Sequence, residues 1–295
     1  MTTTRLAFWI TAATACGSTS RPATRPDVAF TLDGAAELVG DGVSTASSEI
    51  RFASSPDGKL RLWGATDRSG GPGGWDIWQS RATETGWSTP EPAAFDSDAN
   101  DFDPAFSADG AYVYFFSNRA GGAGGDDIYR APVTADGFGP VEHLGPEINT
   151  AGNEWAPAPA LDGSGLLFAT NRPPGKHDLY FAAARGAGFA AAAPLPGAIN
   201  TTDHDEFDAT FLADGTSIVF ARSTDVDNDP IELHVSRRGS NGYDAGTRLG
   251  DAVNVQGGYT LGPSIDLHDR QSLYFSSRRA EASAGKLDIY RIRYR

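Results

Sequence analysis

The chain has 295 residues, 38 Asp and Glu against 24 Lys and Arg, and a formal net charge of −14. So acidic a chain is repelled by phosphate backbones, which sets nucleic acid aside and leaves cations, basic proteins and neutral glycans as partners. Abundant Gly (35) and Pro (18), with 11% aromatics, suit many short strands joined by tight turns, and the single cysteine excludes an internal disulfide.

The first element is MTTTRLAFWITAATAC. A cationic Arg5 precedes an apolar run from Leu6 to Ala15, too short to span a bilayer, and this reads as an export signal over residues 1–15. Small residues Thr14 and Ala15 stand before the lone Cys16. The segment resembles a bacterial lipoprotein signal, departing from it at Ala13, where that pattern prefers Leu. The resemblance implies that Cys16 becomes the lipidated first residue and that the protein is an outer-membrane lipoprotein of the cell envelope. Residues 16–33 then read as a polar, Pro-containing tether, and 34–295 as one domain. No later stretch is apolar enough to cross a membrane.

Past the tether the sequence repeats itself. An acidic residue, a branched apolar residue and an aromatic or His recur in GGWDIW, GGDDIYR, GKHDLY, DPIELH and GKLDIY, with the acid at Asp76, Asp127, Asp178, Glu232 and Asp288. The spacing is 51, 51, 54 and 56 residues. A second column of turn signals precedes it, with Asp-Gly ending at Gly58, Gly110, Gly163 and Gly215, and a degraded copy ending at Arg270. After each turn comes a short apolar run, such as YVYFFSNR or LLFATNR, that reads as a strand. After each DIY-type strand comes a Gly-aromatic pair, as at Gly86-Trp87 and Gly137-Phe138, before a fourth strand. Four strands at this period predict an all-β propeller. The last copy stops after three strands, and Ala35–Glu49 matches Pro140–Glu154 at the same offset. An N-terminal strand should therefore complete the C-terminal blade and close a ring of five. Six blades, the alternative, would require a hidden copy.

The stretch SADGAYVYFFSNRAGGAGGDDIYRAP resembles the WD-like repeat of TolB-type propellers, also found fused to OmpA-like envelope proteins, and the likeness runs over most of Ser48–Arg295. It implies the propeller fold and an envelope setting. The TolB propeller itself has six blades.

The columns also suggest roles. Arg68, Arg119, Arg172 and Arg279 each end a second strand, and a hairpin would pair them with Asp76, Asp127, Asp178 and Asp288. A further acidic column, Glu49, Asp101, Glu154 and Glu206, with Gly258 in the fifth copy, precedes each innermost strand at one channel mouth. Upstream polar residues Ser44, Asp96, Asn149, Asn200 and Asn254 are expected to bond loop backbone. Residues that do not recur are better candidates for function. Alternating carboxylates in FDSDANDFD and at Asp225, Asp227 and Asp229 suit calcium, though neither stretch completes an EF-hand pattern. TTDHDEF gathers Asp203, His204, Asp205 and Glu206 at the mouth, and Trp155 is placed to stack on a sugar ring or to fill the space between blades. No G-x-S-x-G elbow, phosphate-binding loop or H-E-x-x-H zinc motif is present.

The expectation is a non-enzymatic, monomeric, lipid-anchored module that binds an envelope protein or a glycan. Its binding surface would be Asp101, Glu154, Trp155, His204 and Glu206. No cofactor is required, calcium being the one considered. The alternative is a glycan hydrolase using the same carboxylates.

Overall fold

In a computed structural model, the described residues are 30–172, 175–279 and 283–295. The expected export signal, Cys16 and most of the expected tether lie outside them. Among the described residues there is no helix long and apolar enough to cross a membrane. Every element is a strand, and the strands form five antiparallel blades.

Each innermost strand is followed in order by its neighbours outward. The innermost strands are Ser48–Ser54, Asp101–Phe106, Glu154–Pro159, Asp205–Phe211 and Thr260–Ile265. The second strands, Leu60–Thr66, Tyr112–Ser117, Gly165–Thr170, Ile218–Ser223 and Ser272–Ser277, carry the apolar runs. The DIY-type third strands follow, from Trp75–Thr83 in the first blade to Asp288–Tyr294 in the fifth. In the first three blades the outer edge returns in two pieces, as at Gly86–Trp87 and Glu91–Pro92. The fifth blade has its outer strand at Leu32–Leu38, paired antiparallel to Asp288–Tyr294, and Thr31 exchanges both main-chain bonds with Arg295. The chain therefore closes the ring with its N-terminal strand, and that strand takes in Leu32 and Asp33, which the sequence pattern assigns to the tether.

The second strands build the core because both of their faces meet a neighbouring sheet. Trp63, Phe115, Phe168, Phe220 and Phe275 occupy one register position and are fully buried. On the third strands, one residue before the aromatic or His that faces them, Ile77, Ile128, Leu179, Leu233 and Ile289 are also fully buried. Each such side chain contributes roughly 1.5–3 kcal/mol by leaving water. The Gly-rich loops explain the GG of the repeat. A Cβ on Gly73, Gly124 or Gly285 would lie 1.9, 2.1 and 2.1 Å from main-chain oxygens of the loop entering the next blade.

Candidate functional site: the channel and its two ends

The recurring residues form one device per blade. Arg68, Arg119, Arg172 and Arg279 lie two residues beyond the last ladder pair of their hairpins. They curl over the third-strand aromatic instead of meeting the adjacent Asp. The guanidinium sits 4.4 Å from the Trp78 ring, 5.2 Å from Tyr129, 4.9 Å from Tyr180 and 4.9 Å from Tyr290. It then donates to carbonyls of the crossover loop, such as Val43, Phe95, Ile148 and Val253. The expected Arg–Asp pairing is thus replaced by a pairing with the innermost strand. Arg119 meets Asp101 at 2.5 Å, Arg172 lies 3.7 Å from Glu154, and Arg68 faces Glu49. In the fourth blade Arg222, from within its strand, meets Glu206 at 2.8 Å.

The Asp of the DIY strand turns toward its own Gly-rich loop. Asp76 accepts from the Gly73 amide, Asp127 from Ala123 and Gly124, and Asp288 from Ala284 and Gly285. Asp178 begins its strand in the same position, and burial holds its carboxyl above the usual range.

The expected binding acids are deep in the blades. Asp101, Glu154 and Glu206 have no exposed surface. Glu154 accepts from the Thr150 amide and hydroxyl and from Thr170; Glu206 accepts from the Thr201 amide and hydroxyl; Asp101 accepts from the Ser97 amide and hydroxyl. In the fifth blade this register position belongs to Thr260, bonded to Ser277, and Gly258 lies two residues earlier in the entering loop. The upstream polar column pins the third strand. Asn149, Asn200 and Asn254 each bond both the N–H and the C=O of Ile128, Leu179 and Leu233, as an added strand would.

Trp155 and His204 keep partial exposure at this mouth. Trp155 donates to Asp126 at 2.7 Å and stacks on His177 at 3.9 Å. His177 contacts Asp205 through Nδ1 at 3.1 Å, its Nε2 has no partner, and burial holds its pKa below the ordinary value. Lys176 bonds Asp205 and the Thr224 carbonyl. Asp225, Asp227 and Asp229 belong to a self-bonded turn: Asp225 accepts from the Asp227 amide and Asn228, and Asp229 from Thr224. Among the described residues no group of three His, Cys, Asp or Glu is disposed to hold a metal ion.

The axis itself carries charges that the repeat pattern does not announce. Every innermost strand has a bulge, and its third or equivalent residue takes a positive φ: Arg51, Asp103, Ala156, Asp208 and Gly262, at 51°, 50°, 49°, 45° and 60°. Three of these five residues bring charged side chains into the channel. Arg51 donates to the Ala209 carbonyl, Asp208 accepts from the Gly262 amide, and Asp103 hydrogen-bonds Asp208. All three are buried. Burial, with the Asp208 charge beside it, pushes the Asp103 carboxyl well up, and burial raises Asp208 as well. Arg51 balances the remaining charge. Two carboxyls in hydrogen-bonding contact do not straddle a glycosidic bond, which needs them about 5–9.5 Å apart. The signal for this cluster was available, because a column reading Arg, Asp, Ala, Asp, Gly does not recur as an architectural column would.

No family model and no curated protein matches the chain. Solved structures do. TolB from Acinetobacter baumannii aligns with a TM-score of 0.53 at 16% identity, over 84% of this chain and 56% of that one. The chain therefore spans little more than half the length of that protein. Putative TolB from Agrobacterium tumefaciens aligns with a TM-score of 0.51 at 17% identity, over 85% of this chain and 91% of that one. An endo-arabinase from Bacteroides thetaiotaomicron aligns with a TM-score of 0.49 at 13% identity, over 87% and 96%. The likeness at these identities is one of fold, and the fold is a TolB-like propeller with five blades.

Proposed function

We propose that this chain is a non-enzymatic binding module of the bacterial envelope, holding a protein or glycan partner on the mouth where the innermost strands begin. The observation that carries this reading is the commitment of the acids. Asp101, Glu154 and Glu206 are wholly buried and bonded, and Asp103 and Asp208 are buried against each other within the channel. None is free in an open pocket to protonate a leaving group or activate water, so the hydrolase alternative lacks its machinery. The acids instead hold rigid the loops that present Trp155 and His204, and a preorganised surface loses little entropy on binding. Envelope placement rests on the signal-like segment ending at Cys16 and on the fold resemblance. The test is to cross-link the mature protein in native envelopes and identify what it captures. Capture that is lost on Trp155→Ala, with an unchanged circular dichroism spectrum, supports the reading. Release of reducing sugar from envelope glycans by the wild type would overturn it.

A further inference from the structure

Arg61 is out of place in the repeat. It faces Ser80 across its hairpin, two positions before Trp63. The same register position holds Val113, Leu166, Ile218 and Leu273 in the other four blades, all fully buried. A core column of aliphatic residues has therefore been broken once, by a cation that is 97% buried. Burying a guanidinium is costly unless a carboxylate neutralises it. Elsewhere that happens: Arg119 meets the buried Asp101 at 2.5 Å, and Arg222 meets the buried Glu206 at 2.8 Å. Arg61 makes no ion pair at contact distance among the described residues, the Asp41 charge acting on it only from farther away. Its Nη2 donates to the Asp41 carbonyl at 2.7 Å, its Nε has no acceptor, and its plane lies 4.1 Å from the Trp87 ring.

Arg61 lines a cleft of about 350 Å³ between the first and fifth blades, at the end of the ring opposite the Trp155 mouth. That volume lies in the range of small-ligand sites. Its other polar walls are the carboxylates of Glu37, Asp41 and Asp266, with Glu37 paired to Arg291 at 2.8 Å, and the hydroxyls of Ser54 and Tyr274. With Arg291 neutralised by Glu37, Arg61 is the one cation of the cleft without an ion pair; acceptor-rich walls suit hydroxyl donors, and the surrounding carboxylates limit the ligand to one negative charge and disfavour a polyanion.

We propose that this cleft binds a small carboxylated, hydroxyl-rich molecule of the uronate class, with the Arg61 guanidinium as the anchor of its carboxylate. The inference is independent of the partner surface at the opposite mouth. The probe is D-glucuronate, titrated by calorimetry into the mature protein, with glucose and acetate as controls. Arg61→Leu restores the residue type of the other blades, so it folds and melts no lower than the wild type. The expected result is saturable glucuronate binding, no binding of glucose, much weaker binding of acetate, and affinity for glucuronate lowered about tenfold or more in Arg61→Leu. Absence of glucuronate binding to the wild type overturns the proposal. So does equal affinity in a folded Arg61→Leu, or equal affinity for glucose.

Discussion

Asp96 shows how a single atom departs from its column. Asn149, Asn200 and Asn254 each give an amide N–H to a third-strand carbonyl. Asp96 accepts from the Ile77 amide through Oδ1, but its Oδ2 is buried without a partner. Burial pushes the carboxyl up to about 9, with the charges of Asp101 and Asp76 adding to it. The folded state therefore holds a proton that the unfolded chain has lost above its ordinary carboxylate pKa. Stability from this group is complete below about pH 4 and falls as the pH rises toward 9. Asp96→Asn supplies the missing donor permanently. Urea melts should show the variant more stable by about 1–3 kcal/mol at pH 8, with the gain shrinking toward pH 5. A gain that does not depend on pH would mean that the proton is not involved.

A second residue, His234, stands where other blades have an aromatic. Burial and the neighbouring Arg222 and Arg248 bring it down to about 4, so it is neutral in the folded state. The unfolded chain takes up a proton below its ordinary pKa near 6.5, so this group destabilises the fold as the pH falls from about 6.5 toward 4. His234→Phe should flatten that stretch of the stability profile, as read by melts between pH 7 and 4.5. An unchanged slope would place the titration elsewhere.

At the scale of the element, the loop between second and third strands is the joint between blades. Gly124 lies where any Cβ would strike the Gly152 carbonyl at 2.1 Å, whereas Gly163, in a hairpin turn with φ of 74°, has open space around it. Gly163→Ala should cost about 1 kcal/mol from its left-handed backbone alone. Gly124→Ala must also push neighbouring blades away from each other and should cost clearly more, about 2 kcal/mol or above. Equal losses in chemical denaturation would show that the joint yields.

The strands and turns of this joint were legible in the sequence, because Asp-Gly and the DIY pattern recur at fixed spacing. The side-chain partners were not. Arg119 and Asp127 are adjacent in a hairpin drawn flat, but Arg119 lies past the end of the ladder and stacks over Tyr129. From there Asp101 on the innermost strand is within reach, at 2.5 Å. Which way a side chain swings beyond a ladder depends on packing that spacing does not encode. Trp155 was legible as an aromatic at the mouth, whereas its stacking partner His177 stands just before the recurring acid, at a position that changes from copy to copy, as Trp75, Asp126, Ile231 and Leu287 show. Arg61 was legible in principle, as a charge in a column where other copies have none, and Arg51 as the one cation in a column that also holds Asp103 and Asp208.

For the whole molecule, closure joins the first described strand to the last. Tyr290, Ile292 and Tyr294 are buried in a blade whose outer strand is Leu32–Leu38. A chain of residues 30–295 should melt like the full mature protein, since it keeps that strand. A chain of residues 39–295 leaves the third strand of the last blade as an open edge. Its melting temperature should fall by about 10 °C or more, at roughly 2–4 °C per kcal/mol for a domain of this size, with aggregation. Equal melting of the two would mean that the ring does not close this way.

Residues repeated in every blade build the ring, while Arg61, the cation that breaks an aliphatic core column, binds. The most direct test is one glucuronate titration run on two variants, each with its melting temperature. Glu154→Gln should melt lower and keep the wild-type affinity. Arg61→Leu should melt no lower and lose affinity about tenfold or more. If Glu154→Gln loses the ligand while Arg61→Leu keeps it, the assignment of architecture and binding is reversed and the account is wrong.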